Sequence, residues 1–423
     1  MSIIIAGGGI GGLITALALH QKGIAVTVHE QVGEIRPLGV GINLLPHAVR
    51  VLTGLGLQDR LAAAAVRTRE LSYFNKHGQL IWSEPRGLDA GYDYPQFSIH
   101  RGTLQTILLD EVVARLGPDR MFLGERFVDL TDRPGGKVEA VFAGRDGQAA
   151  ARRQGDILIG ADGIHSAVRA RLYPQEGAPI WNGRVLWRAI TEAAAPFLSG
   201  RTMIMAGHQD RKFVCYPLTT SPDGRGQVRI NWIAELSFDR SKGWRREDWD
   251  RTARLEDIAP LFADWRFDWL DIPALMAGAT TIYEYPLVDR DPLARWSFGR
   301  VTLMGDAAHP MYPIGSNGAS QAILDAEALA EALAAHGPTP EALSAYEEAR
   351  RPPTSAIVLA NRGNGPEQVM QLAEQRAPGG FKDISEVISR EELEGIAARY
   401  KQVAGFSRDK VNRADANPAG SKA

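Results

Sequence analysis

The chain has 423 residues, enough for two or three packing units at about 150 residues each. Apolar residues make up 44% and charged residues 23%, a composition with ample core material for a soluble protein. A formal net charge of −2 gives no basic field for nucleic acid or anionic lipid, and the single cysteine, Cys215, excludes an internal disulfide, a cysteine-based zinc site and a C-x-x-C redox pair.

The chain opens on Ile3-Ile4-Ile5-Ala6, a short run with the pattern of a buried strand. Residues 7–12 read as a turn, 13–22 as a helix rich in Ala and Leu, and 24–29 as a second strand. Strand, tight turn, helix and strand within about 28 residues make a parallel βαβ unit. The apolar run 3–19 resembles a secretory or membrane segment in length. No Lys or Arg precedes it, however, five glycines interrupt it, and a strand follows directly. No targeting role and no membrane span are expected, and the lone cysteine suits the cytoplasm.

Residues 46–55 and 104–116 carry helical patterns. Residues 71–82 alternate like an antiparallel strand pair with His77-Gly78 at the turn. Residues 156–161 form another buried strand. Strand-like segments dominate 185–285 (185–191, 213–218, 228–235 and 280–285), with one helical stretch near 255–263. Residues 301–304 return to a buried strand, 319–335 is a long Ala-rich helix, and helical patterns recur at 341–362 and 384–404. The last fifteen or so residues are polar, hold Pro and Gly, and are expected to form a disordered tail. All nine tryptophans fall between Trp82 and Trp296. Their plain reading is the core of an antiparallel sheet. Their functional reading is a wall for a flat aromatic ligand.

Three constellations carry chemistry. In Gly7-x-Gly9-x-x-Gly12, with Gly11 inside the turn, Gly7 permits the turn, Gly9 lets backbone approach a pyrophosphate, and Gly12 lets helix pack on strand. Glu30 closes the second strand, where an acid accepts hydrogen bonds from ribose hydroxyls. That acid disfavours a 2′-phosphate, so the site suits NAD or FAD better than NADP. The second constellation is Gly160-Ala161-Asp162-Gly163-Ile164-His165-Ser166, with Arg169 beyond it. Its plain reading is a strand, a turn and a helix capped by Ser166. The third is Gly305-Asp306-Ala307-Ala308-His309-Pro310, after a buried strand. An Asp there can take a ribityl hydroxyl. Gly315 to Gly318 then opens the long helix, whose N-terminus suits negative charge such as that on a reduced flavin.

With these motifs in this order, and with His100-Arg101-x-x-Leu104 as a fourth, the chain resembles the class A FAD-dependent aromatic hydroxylases, the group of the para-hydroxybenzoate and salicylate hydroxylases. The resemblance covers residues 1 to about 360. Within the group it is most similar to the phenazine-1-carboxylate monooxygenase type of pyocyanin biosynthesis. Residues 35–43, Trp82-Ser83-Glu84-Pro85-Arg86-Gly87 and residues 316–325 carry that nearer match.

The resemblance implies an α/β fold in which a three-layer, Rossmann-like FAD-binding domain (1–70, 100–180 and 275–360) receives an inserted antiparallel-sheet substrate domain (71–99 and 181–274). C-terminal helices (361–405) and a disordered tail (406–423) follow. It also implies roles. Gly7, Gly9, Gly11, Gly12 and Glu30 would hold the ADP half of FAD. Arg36 and Arg101 would contact the cofactor, Arg101 near its phosphates, and Val128 the adenine edge. Asp306 would bind ribityl, and Asp162 would serve both FAD and the nicotinamide. The segments holding Val40 and Gly41, and Pro313, Gly315 and Gly318, would flank the isoalloxazine. Tyr216 and Pro217 would lie by the substrate, and His309 would be structural. No metal is implied.

A second G-x-G-x-x-G is absent, so NADH or NADPH would visit the flavin transiently. The reduced flavin would take O₂ to a C4a-hydroperoxide and oxygenate an aromatic substrate in a dry cavity. An FAD oxidase or dehydrogenase is the nearest rival, followed by a non-catalytic dinucleotide sensor. One cysteine excludes a disulfide reductase. In several salicylate-type relatives a His precedes the Tyr-Pro matched by Tyr216-Pro217, whereas residues 211–217 here hold no His. Two readings follow: another residue supplies a base, or the substrate needs none. The second points to a fused-ring N-heteroaromatic acid such as a phenazine carboxylate, hydroxylated with or without loss of CO₂, rather than a salicylate-type phenol. The enzyme would act as a monomer or homodimer, without nucleic acid.

Overall fold

The computed structural model describes residues 2–37, 39–133, 136–144, 151–193, 195–221, 223–239, 241 and 251–413. Its first element is the strand Ile3–Ala6, four buried residues with no polar group to accommodate. The helix Ile10–Gln21 follows, and it begins three residues before the sequence pattern suggests. Glycines at 11 and 12 weaken helix propensity, but the helix is held by packing on the strands. Val26–Glu30 then pairs parallel to Ile3–Ala6.

These strands belong to a six-stranded sheet. Its order is Ser297–Phe298, Val301–Leu303, Ile157–Gly160, Ile3–Ala6, Val26–Glu30 and Met121–Leu123. All neighbours are parallel except the edge strand Ser297–Phe298. An antiparallel meander, Arg126–Arg133, Lys137–Ala143 and Ala151–Gly155, forms a separate three-stranded sheet. Its Phe127, Val138, Ala140 and Phe142 enter the core of the parallel sheet. The helices Ile10–Gln21, Arg101–Leu116 and Gly318–His336 pack on one another as the third layer.

An eight-stranded sheet is built from Thr252–Ala253, Ala279–Asp289, Ile180–Ala193, Val228–Ser237, Arg211–Pro217, Thr202–Gly207, Glu70–Phe74 and Leu80–Pro85, in that order. Two boundaries therefore move. The sheet runs through Asp289, beyond residue 274, because Ala279–Asp289 pairs along Ile180–Ala193. Its early segment ends at Pro85, because Gln96–His100 joins Gly41–Leu44 and Val66–Thr68 in a separate three-stranded sheet.

The two faces of the large sheet differ. One carries Trp187, Trp232, Phe213 and Cys215, packed with Trp265 and Phe262 from the segment that covers it. The opposite face presents Leu71, Tyr73, Met203, Met205, Val214 and Tyr216 to the C-terminal helices. Of the described tryptophans, Trp187, Trp232 and Trp265 are core, as their plain reading has it, and Trp296 fills the parallel-sheet core. Trp82 packs on the opposite face, with the tyrosines and methionines. Trp244 and Trp249 lie outside the described residues.

The C-terminal part is the helix Pro340–Arg362, the shorter Gln368–Arg376, which the sequence reading omits, and Arg390–Val403. Residues 406–413 are not a disordered tail. Arg408–Arg413 is helical, and Phe406 and Val411 are buried against Leu45, Tyr92 and Tyr400. Residues 414–423 lie outside the described set. Among the described residues no helix is long and apolar enough to cross a membrane.

Candidate active site

The first βα turn has the shape its glycines demand. Gly7 has φ +115°, and a Cβ on it would meet the Ala161 carbonyl oxygen at 2.3 Å. A Cβ on Gly12 would stand 2.0 Å from the Gly7 oxygen. Both positions are closed by backbone. At Gly9 a Cβ would meet nothing within 4 Å, so this turn faces open space at the N-terminus of the helix Ile10–Gln21. That is the arrangement a pyrophosphate needs. Gly11 packs toward Met304 and Ala322 instead. Glu30 braces the turn. Its Oε2 accepts from Gly8 N at 2.7 Å and its Oε1 from Val32 N at 2.9 Å. Each oxygen keeps a lone pair for a further donor.

Arg101 starts the helix Arg101–Leu116, and its backbone N–H donates to the Val40 carbonyl at 2.9 Å. This helix also holds the glycine turn, through Gln105 Nε2 donating to Gly8 O at 3.0 Å. Across from Arg101 lies Asp306, exposed by area yet so enclosed that burial pushes its carboxyl above the ordinary range, with Arg101 and His309 opposing. A deep carboxylate that still has accessible surface lines a groove. Arg36 and Val128 are exposed beyond it, Arg36 paired with Glu34.

Two expected residues have structural partners. Asp162 Oδ1 accepts from Ser166 Oγ at 2.5 Å, and its Oδ2 from the N–H groups of Ala167 and Val168 at 2.7 and 3.2 Å. Asp162 and Ser166 together cap the helix Ala167–Leu172. Buried Arg169 then donates to the carbonyls of Ala307 and Ala308, each at 3.0 Å, which ties the second motif to the third. His309 Nε2 meets Asp325 at 2.6 Å, and Asp325 also accepts from Gly305 N and Arg350 Nε. His309 therefore anchors the Asp306 turn.

The face of the large sheet reaches this groove at Gly41. Gly41 N donates to Asn231 Oδ1 at 2.7 Å, and Arg188 donates to Gly41 O at 2.9 Å. A Cβ on Gly41 would meet Tyr216 at 2.7 Å. Tyr216 is buried, and burial pushes its hydroxyl up to about 12, with Arg188 opposing. Burial lowers the Arg188 guanidinium from its ordinary value, and no carboxylate pairs with it among the described residues. On the other side, Pro313–Gly318 makes a short turn in which Gly315 has φ +67°. Between this turn and the sheet lies a cavity. Leu71, Tyr73, Met203 and Met205 line it from the sheet, and Gly315 and Ser316 from the turn. Glu84, Arg86, Gln96, Tyr400, Lys401 and Phe406 close it.

The structure thus ties the three motifs to one another, Gly7 against the Ala161 carbonyl and Arg169 to the carbonyls of Ala307 and Ala308, as a dinucleotide-binding flavoprotein domain requires. The chain belongs to the family described as "FAD binding domain", whose model matches residues 1–360. It is 50% identical over 364 residues to a phenazine 1,6-dicarboxylic acid hydroxylase, PhzS, of Lysobacter antibioticus, with 85% of this chain and 89% of the relative covered. It is 33% identical to an aurachin C monooxygenase/isomerase of Stigmatella aurantiaca, over 83% of this chain and 85% of the relative. A salicylate hydroxylase solved with substrate shares the fold at TM-score 0.73 and 24% identity, over 100% of this chain and 99% of that one. HpxO of Klebsiella pneumoniae, solved with FAD and uric acid, does so at TM-score 0.73 and 24% identity, over 97% and 96%. The protein is an FAD-dependent aromatic monooxygenase, with NAD(P)H and O₂ as co-substrates.

Residue reading alone misses Arg188, Asn231, Tyr73 and Lys401. Arg188 and Tyr73 sit on alternating strands, and the alternation shows a face without showing which face meets the groove. Lys401 comes from a helix beyond the family match, so only tertiary packing reveals it.

Proposed function

We propose that the enzyme hydroxylates a fused-ring N-heteroaromatic carboxylic acid of the phenazine carboxylate class. The observation that carries this is the 50% identity over 364 residues to a relative named as a phenazine 1,6-dicarboxylic acid hydroxylase. The cavity between Gly315–Ser316 and the sheet residues Leu71, Tyr73, Met203 and Met205 is small, about 20 Å³, and no histidine lines it, so it marks where the ligand's edge would enter and not its whole bed. Tyr216, held neutral by burial, is no general base, so the reading does not depend on a phenol deprotonated by it.

The residues fit FAD. Gly9 and Glu30 would meet the ADP half on a turn that Gly7, Gly11 and Gly12 shape, and Asp306 the ribityl chain, with Arg101 and Asp162 near it and Arg36 and Val128 at the exposed edge. Val40, Gly41, Pro313, Gly315 and Gly318 would flank the ring. Bound FAD supplies electron transfer from NAD(P)H and activation of O₂. The chain supplies the rest. The N-terminus of the helix Gly318–His336 and the Arg188 guanidinium stabilise negative charge at the ring. The Tyr400 and Phe406 side excludes water. Ring hydroxylation consumes NAD(P)H, O₂ and one proton, and gives the phenol, NAD(P)⁺ and water. Where oxygen enters at the carboxylate-bearing carbon, a second proton is taken up and CO₂ leaves. The enzyme would work in the cytoplasm as a monomer or homodimer.

Product masses after turnover with NADH or NADPH test this, with phenazine, quinoline and monocyclic phenol acids as substrates. Coupled oxygenation of phenazine or quinoline acids is expected. Coupled oxygenation of monocyclic phenols alone would overturn the substrate class.

A further inference from the structure

The polar end of the cavity holds more positive charge than its own carboxylates balance. Glu84 lies on the edge strand Leu80–Pro85 and Arg86 directly after it, and both are buried, at 4% and 7% exposure. Arg86 pairs with Glu84 Oε1, and Lys401 Nζ reaches Glu84 Oε2 at 2.6 Å. Glu84 is the one carboxylate that pairs with either cation among the described residues. Two cations therefore share one anion at the wall of a cavity. Around them, buried polar atoms lack partners: Arg86 Nε, the Tyr73 hydroxyl and Gln96 Oε1. Tyr73 and Gln96 are exposed by only 1% and 2%. Leaving such buried groups unpaired costs free energy that a ligand can recover.

Glu84 takes one charge and leaves one over. An excess cation shared between buried Arg86 and partly exposed Lys401, with free N–H and O–H donors beside it, is a site for an anion. An amine or a neutral carbonyl would leave the charge uncompensated. We propose that Arg86, Lys401 and Tyr73 form a carboxylate-recognition subsite, with Arg86 and Lys401 as specificity-determining cations that select acids over their neutral isosteres. This rests on the proposed use of the cavity for a planar acid. Gln96 Oε1, an acceptor, would serve a protonated or N–H-bearing part of the same ligand or an ordered water. Lys401 stands on the helix Arg390–Val403, outside residues 1–360 matched by the family, so this selection is carried by the C-terminal extension.

The test is binding to the oxidised holoenzyme, read from perturbation of the flavin absorption band without turnover. Three pairs of probes are titrated: phenazine-1-carboxylic acid, quinoline-2-carboxylic acid and salicylate, each against its carboxamide. The wild type should prefer the acid by about tenfold or more in at least one pair. Lys401→Met, a substitution at a partly exposed site that leaves Glu84 paired with Arg86, should erase that preference by weakening the acid and leaving the amide within about twofold. Glu84→Gln frees both cations and should tighten the acid. Flavin content and melting temperature show that each variant is folded. Absence of any acid preference in all three pairs overturns the subsite. So does equal loss of acid and amide in Lys401→Met, which would mark a merely structural ion pair. An acid preference without hydroxylation of that acid would instead leave the subsite standing and count against the proposed reaction.

Discussion

The Tyr400 hydroxyl lies 2.1 Å from the point where a Cβ on Gly315 would stand. The same hydroxyl is 2.9 Å from Asn317 Nδ2 and Asn361 Oδ1 and 3.1 Å from Ile314 O. A C-terminal helix thereby fixes the turn that would flank the flavin ring, and that turn can close this tightly only on glycine.

Two variants follow from this contact. Gly315→Ala adds a methyl against Tyr400 at positive φ, a combination costing about 1–3 kcal/mol. Tyr400→Phe removes the hub and leaves buried amide groups unmade, at about 1–3 kcal/mol. Both should lower the melting temperature of the holoenzyme. Tyr400→Phe should also raise uncoupled peroxide formation, because the turn loosens. Unchanged melting in both variants would contradict the hub.

The glycine fingerprint predicts a split between folding and binding. Gly12→Ala would meet the Gly7 oxygen at 2.0 Å and should destabilise even the apoprotein, on the order of 1–3 kcal/mol. Gly9→Ala meets nothing within 4 Å and should leave apoprotein melting unchanged, while weakening FAD by about tenfold or more. Melting curves with and without FAD, beside FAD titrations, decide it. Equal effects of the two on apoprotein stability would speak against the placement of the pyrophosphate.

Asp325 gives the acid limb of stability. Burial alone would raise its carboxyl, but His309 and Arg350 outweigh that and hold it at about 2, below the usual 3.8. A depressed acid contributes stability that is complete above the unfolded value and is lost as pH falls from about 4 through about 2. The difference is roughly 2 kcal/mol. Asp325→Asn should lower stability at pH 7 and flatten its slope in that window. Urea midpoints measured across pH 2–7 would show it, and an unchanged slope would contradict the depressed acid.

Tyr216 should be silent in the pH profile. Its hydroxyl, pushed up to about 12, remains protonated throughout the working range. Tyr216→Phe should leave the shape of kcat/KM against pH unaltered between pH 6 and 9, with at most a modest drop in value. Loss of an ionisation in that range would make Tyr216 the base.

Some of this was legible in the sequence, and the boundary has a physical cause. The run Ile3 to Glu30 announces its fold because strand, turn and helix are contiguous and each glycine answers to a neighbour in the same unit. The positions of Asp162 and Asp306 in the fold are legible because each follows a buried strand of the parallel sheet. Which face of the large sheet holds the tryptophan core is not legible, because alternation marks two faces without naming them. The strand Gln96–His100 was missed because its partners, Gly41–Leu44 and Val66–Thr68, are remote in sequence. Lys401 stands 317 residues from Glu84 along the chain, and only packing joins it to Glu84 and Arg86.

The fate of O₂ separates a monooxygenase from an oxidase on the same flavin scaffold. With a phenazine carboxylic acid, NAD(P)H and ¹⁸O₂, one labelled oxygen should enter each product molecule for each NAD(P)H consumed, with little hydrogen peroxide. NAD(P)H consumption matched by hydrogen peroxide, with no labelled product from any aromatic acid, would contradict it.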